Sequence, residues 1–118
     1  MWQPKYSKQS SKERNCGLHC ISMVTHLPID IIAQATRRNG GISAFEVASA
    51  LYILGYAADR ELTKYNGLPL PELCIINVRH HWALHWRGEI WCSCLGIIPI
   101  KEYKGRIKYY LKIEVPNG

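Results

Sequence analysis

The hydrophobic pattern of this chain changes period once, near its middle, and does not change back. From Cys16 to Gly55 apolar residues recur at helical spacing. From Leu73 to Val115 they come in short runs with a period nearer two. A chain with helices first and strands second lacks the alternating β-α-β units of a doubly wound sheet. It is predicted to be α+β, with N-terminal helices packed on a small antiparallel sheet. Its 118 residues are expected to form one domain, 1–118.

The elements follow from local signals. Cys16, Cys20, Met23, Val24 and Leu27 mark the buried face of a first helix, with Asn15 as its cap and Pro28 as its end. Ile29 to Arg38 reads as a second helix, stopped by Asn39-Gly40-Gly41. Ser43 and Glu46 are spaced for a capping box. They open a third helix with the stripe Ala44, Val47, Ala48, Leu51 and Leu54, and Gly55 closes it. Strands are predicted at Leu73–Val78, His81–Trp86, Glu89–Cys94 and Ile107–Val115, with Arg87-Gly88 as a tight hairpin turn. Residues 1–14 are expected to be irregular and basic.

Fifteen Lys and Arg against nine Asp and Glu give a net charge of +6. The excess sits in two segments, residues 1–14 and residues 101–112. No nucleic-acid motif accompanies it, so a basic solvated surface is the plain reading and nucleic acid is not expected as a partner. No apolar run is long enough to cross a bilayer, so membrane insertion is not expected. No secretory signal is visible either. The cysteine count is odd: Cys16, Cys20, Cys74, Cys92 and Cys94. Together these features point to a cytoplasmic protein with reduced thiols that are buried, metal-bound or catalytic.

Cys16 is the thiol best placed for chemistry. A helix N-terminus favours a thiolate, and the adjacent Gly17 allows close approach to the backbone. His81, in the other half of the chain, is the natural base for it. Taken alone, Cys16 is equally readable as a small buried hydrophobe.

The local sequence carries more. Gln9, then Asn15-Cys16-Gly17-Leu18-His19-Cys20-Ile21-Ser22-Met23-Val24, resembles the nucleophile segment of papain-like cysteine peptidases. The resemblance is greatest to the leader-processing, double-glycine peptidase domains of bacteriocin exporters. The helix Ser43 to Gly55 and the strand His81-Trp82-Ala83-Leu84 match that pattern in order. Cys16-Gly17-Leu18-His19-Cys20 and His81-Trp82 are also similar to motifs of Josephin-type deubiquitinases. The likeness spans roughly residues 6 to 95. It implies a minimal papain-like fold and thiol-dependent hydrolysis of a peptide or isopeptide bond, with a peptide or protein as substrate and no metal or cofactor. In that scheme Cys16 is the nucleophile, His81 the general base, and Gln9 an oxyanion donor beside the Cys16 amide.

The third member departs from the pattern. With a two-residue turn at Arg87-Gly88, Trp86 faces Glu89, and counting outward puts Cys94 opposite His81. Cys94 thus takes the slot of the orienting Asp or Asn, although a thiol is a poor acceptor. Ser93 or a backbone carbonyl are alternatives, as is a bare Cys–His dyad. His80 competes with His81, but only one of two adjacent strand residues can face the site. His85 shares the His81 face and either lines the cleft or fills the core. His19 either flanks the site or lies on the helix surface. Two other classes remain open. Cys92, Cys94 and His81 or His85 lie on one strand face and could hold zinc. Alternatively, the chain is a catalytically silent module that binds a peptide in its cleft.

Overall fold

The structure is a computed structural model that describes residues 1–10 and 13–117. Lys12, part of the basic N-terminal segment, lies outside the described residues. Three helices come first: α1 (Cys16–Thr25), α2 (Ile29–Thr36) and α3 (Ala44–Ile53). Six strands follow: β1 (Thr63–Lys64), β2 (Leu73–Val78), β3 (His81–Trp86), β4 (Glu89–Cys92), β5 (Gly96–Pro99) and β6 (Ile107–Lys112). They form one antiparallel sheet in the order β1-β6-β2-β3-β4-β5. The fold is α+β, as the change of period predicts.

Local chemistry explains the element ends. Ser43 and Glu46 form the full capping box at the start of α3. Arg87 and Gly88 both adopt positive φ, 45° and 83°, the geometry that a two-residue hairpin turn demands. α1 stops earlier than Pro28 suggests. His26 takes a left-handed conformation at its C-cap, and the chain then turns through Leu27 into α2 at 111°. Asn15 occupies the N-cap position of α1 but makes no side-chain capping bond. No single helix among the described residues is long and apolar enough to cross a membrane.

α1 is buried on every side from Gly17 to Thr25, not along one stripe. Helices pack on one flank, β3 on another, and the N-terminal segment covers the rest. That segment has no regular structure, yet it is fixed: Lys5 N–H donates to Met23 O, and Trp2 stacks on His26 and meets Trp86 edge-on. Residues buried all round need no amphipathic pattern.

The sheet has two covered faces. Trp82, Leu84 and Trp86 of β3 pack toward the helices with Leu18, Ile21 and Leu51. On the reverse face a smaller cluster joins Cys74, Ile76, Ala83, Ile90 and Cys92. It is roofed by Ile100 and Tyr103, which belong to the 3-10 turn Ile100–Glu102 and the segment after it. This second face places Cys92 beside the start of β3.

Candidate active site

The N-terminus of α1 abuts the first residues of β3. Gly17 permits this: a methyl group there would overlap the Ile42 side chain and crowd the Trp82 ring. The role of Gly17 is therefore to let helix and strand pack, whatever substrate it also admits. Trp82 locks the contact twice. Its ring Nε1–H donates to Ile42 O at 3.2 Å, and its backbone N–H donates to Cys16 Sγ at 3.3 Å.

Cys16 is half-buried at the start of α1, near enough to the His81 ring for the ring to bear on its titration. Burial pushes its thiol up. The His81 hydrogen bond and charge, with the Trp82 and Gly17 amides, outweigh burial and bring it below the ordinary value. The ring responds in the opposite sense. Hydrogen bonds to Cys16 and then Cys92 outweigh burial and push His81 up to about 10. A thiolate–imidazolium pair is the state these shifts favour.

His81 has a second partner, and it is not the one the hairpin count gives. Nε2 lies 3.2 Å from Cys92 Sγ. The ladder matches the count as far as Leu84↔Trp91, but β4 ends at Cys92 and the chain turns through Ser93 and Cys94. Cys94 is consequently exposed, and its thiol points to Gln9 Oε1 at 3.5 Å. Cys92 was legible only as a residue on the His81 face, diagonal to the ring. Extending the ladder by one pair sets Ala83 opposite Cys92, so His81, two residues along β3 on the same face, is the diagonal neighbour of that thiol. Cys92 is buried, which pushes its thiol up; His81 and the amides of Leu95 and Cys94 outweigh this and draw it below the ordinary value. The turn that removes Cys94 from the strand thus supplies two donors to the Cys92 sulfur.

Gln9 is buried and brought to the same end of the sheet, but its polar atoms are occupied. Its backbone N–H donates to Ser93 O at 2.8 Å, and Oε1 accepts from Ser93 Oγ at 2.9 Å. Nε2 donates to the Glu13 carbonyl. Among the described residues no hydrogen bond joins Gln9 to Cys16. Tyr6 reinforces the same corner, its hydroxyl donating to Cys92 O at 2.7 Å.

The remaining histidines sort by position. His80 sits exposed in the β2–β3 turn with φ 58°, off the strand. His85 is buried, with Nδ1 against Pro71 O and Nε2 accepting from Gly88 N–H, so it fills structure at the far end of β3. His19 is buried, not on the surface; Nδ1 lies 2.7 Å from Ser7 Oγ. The zinc set therefore does not assemble: Cys94 and His85 are engaged elsewhere. No group of three or more His, Cys, Asp or Glu among the described residues has a metal-holding arrangement.

An apolar groove of about 350 Å³ between Phe45, Tyr52, Ile53 and Arg60 lies on α3 and includes neither Cys16 nor His81. Cys16 and His81 lie instead at the starts of α1 and β3. No family model and no curated protein matches the chain.

Proposed function

We propose that the chain is a thiol hydrolase of a minimal papain-like kind, cleaving peptide or isopeptide bonds through an acyl-enzyme. The observation that carries this reading is the place of His81, whose Nε2 lies 3.2 Å from Cys92 Sγ and whose ring is near enough to Cys16, at the helix start, to draw both thiols below their ordinary values.

Each part has a chemical role. The Cys16 thiolate attacks the carbonyl carbon, forming a C–S bond and an oxyanion. In this reading the first-turn amides of α1, which have no helical acceptor, receive that charge. Collapse breaks the C–N bond, and the His81 imidazolium gives its proton to the leaving amine. Water then attacks the thioester while His81 takes its proton, and the acid product leaves with the Cys16 thiolate restored. With Nε2 held by Cys92, Nδ1 is the nitrogen that exchanges this proton. Cys92 takes the place of the orienting Asp or Asn of the papain-like pattern. A cytoplasmic location fits the five free thiols.

A second reading, a silent peptide-binding module, is favoured by one observation: the Gln9 amide is spent on Glu13 and does not reach Cys16. Incubation with a mixed peptide pool, followed by intact-mass detection of a Cys16 thioester, separates the two. The hydrolase reading expects acyl-enzyme and cut products in the wild type, and neither in Cys16→Ala or His81→Ala. Bound but uncut peptide in every variant favours the module.

A further inference from the structure

One end of the sheet is basic, while the other mixes carboxylates with Arg87 and Lys112. His81 opens β3 at one end, and the ladder places Val78 of β2 and then Ile107 of β6 in the same row. Next to that row run Trp82, Asn77, Tyr109 and, on the edge, Lys64. The end that carries Cys16 and His81 therefore also carries Arg79 in the β2–β3 turn, Arg106 and Lys108 around the start of β6, and Lys64. The carboxylates collect at the other end: Glu72, Glu89 and Glu114 flank strand ends that pair around Leu73, Trp86 and Ile113.

Lys64, Arg106 and Lys108, with Tyr65 and Tyr109, line a groove of about 360 Å³ at the β1–β6 edge. Among the described residues none of these cations, nor Arg79, forms an ion pair. Adjacent strands are about 4.8 Å apart, so β6 lies roughly 10 Å and β1 roughly 15 Å from His81. An extended chain rises about 3.3 Å per residue and covers that span in three to five residues.

We infer that this basic groove is a specificity site for acidic residues of an extended peptide, placed three to five positions from the atom that Cys16 attacks. The inference rests on the thiol hydrolase reading for its purpose, but its geometry is testable without turnover. Arg79 follows Val78, the residue that pairs with both His81 and Ile107, and so adds a cation at the same end of the sheet.

The experiment uses the full chain and synthetic peptides with an N-terminal chloroacetyl group, which alkylates Cys16 when the thiolate displaces chloride from its CH2 carbon. A block of three Glu is placed next to the chloroacetyl group or three to five residues away, against matched Ser blocks. The Glu block at three to five residues should speed Cys16 alkylation about tenfold at low ionic strength, an advantage lost at roughly 0.5 M salt. The variant Lys64→Gln/Arg106→Gln/Lys108→Gln should lose the advantage while its iodoacetamide rate at Cys16 stays at the wild-type value. Lys112→Gln, at the far end, should keep it. No acceleration in the wild type, or acceleration that survives the triple variant, overturns the inference. So does competition by oligothymidylate at or below the concentration of acidic peptide needed, which would mark a nucleic-acid surface. Acceleration without any peptide cleavage leaves this groove standing and removes the hydrolase reading; cleavage indifferent to acidic residues does the reverse.

Discussion

A thiol is a poor hydrogen-bond acceptor and a thiolate a strong one, and the ring partner at Cys92 turns on that difference. The buried sulfur is drawn toward the charged form by His81 and by two amides of the turn after β4. The amides do for sulfur what they do for a carboxylate elsewhere: they satisfy the acceptor before the ring arrives. Cys92→Ala should leave Cys16 with its lowered pKa, because the Cys16–His81 contact stays. It should lower the His81 pKa from about 10, since one of the two thiols that raise it is gone. Peptide turnover should fall by about 10- to 1000-fold while Cys92→Ser, which keeps a hydrogen-bonding atom, loses less. Turnover rates and the His81 NMR titration check this together. Unchanged ring titration in Cys92→Ala would remove Cys92 from the site. Cys16 and His81 were legible from the sequence because helix-start and strand-start signals mark them. Cys92 was not, because its contact depends on where β4 stops, and no residue type announces a strand that ends two residues early.

At the scale of elements, the capped helix and the glycine turn were readable because single residues dictate them. Ser43 with Glu46 and Arg87 with Gly88 behave as their local chemistry requires. α1 was readable as a helix but not as a central one, because its second buried flank is made by Trp2 and Tyr6, whose segment carries no period. The short edge strands β1 and β5 gave no pattern either: two and four residues are too few for alternation to register. The join between α1 and β3 is the element contact on which the site depends, and Gly17 sits at its tightest point. Gly17→Ala should cost about 1–3 kcal/mol in a denaturant titration, since Ile42 or Trp82 must move. It should also slow Cys16 alkylation, because the Trp82 amide is carried away from the sulfur. A variant as stable and as reactive as the wild type would show that the helix start is free to shift.

The whole molecule is closed by its last strand. β6 inserts between β1 and β2, so the sheet is complete only when residues 107–112 return to the centre. Sequence order places β6 after β5 and offers no cue for that insertion. β2 and β3 then hold the fully buried middle of the sheet, with Ile75, Ile76, Ala83 and Leu84 shielded from solvent. Native-state hydrogen exchange should find their amides opening only with global unfolding, and those of Lys64 and Ile97 opening locally and fast. Protection of the β1 amides equal to β2 would contradict the edge position. The same closure brings Cys16 and His81 together from opposite halves of the chain, so their pairing exists only in the native fold. The most direct measurement is the pH dependence of alkylation by iodoacetamide, read at each cysteine by peptide mass in the native wild type and in His81→Ala. In the wild type the alkylation profile of Cys16 should lie at lower pH than that of a free thiol. Buried Cys20 and Cys74 should stay unreactive, the latter pushed up to about 12 by burial. In His81→Ala burial is no longer outweighed by the ring, so the Cys16 profile should move to higher pH. A Cys16 profile that is the same in both proteins, or that lies above the free-thiol range in the wild type, would contradict the thiolate–imidazolium pair and the function proposed on it.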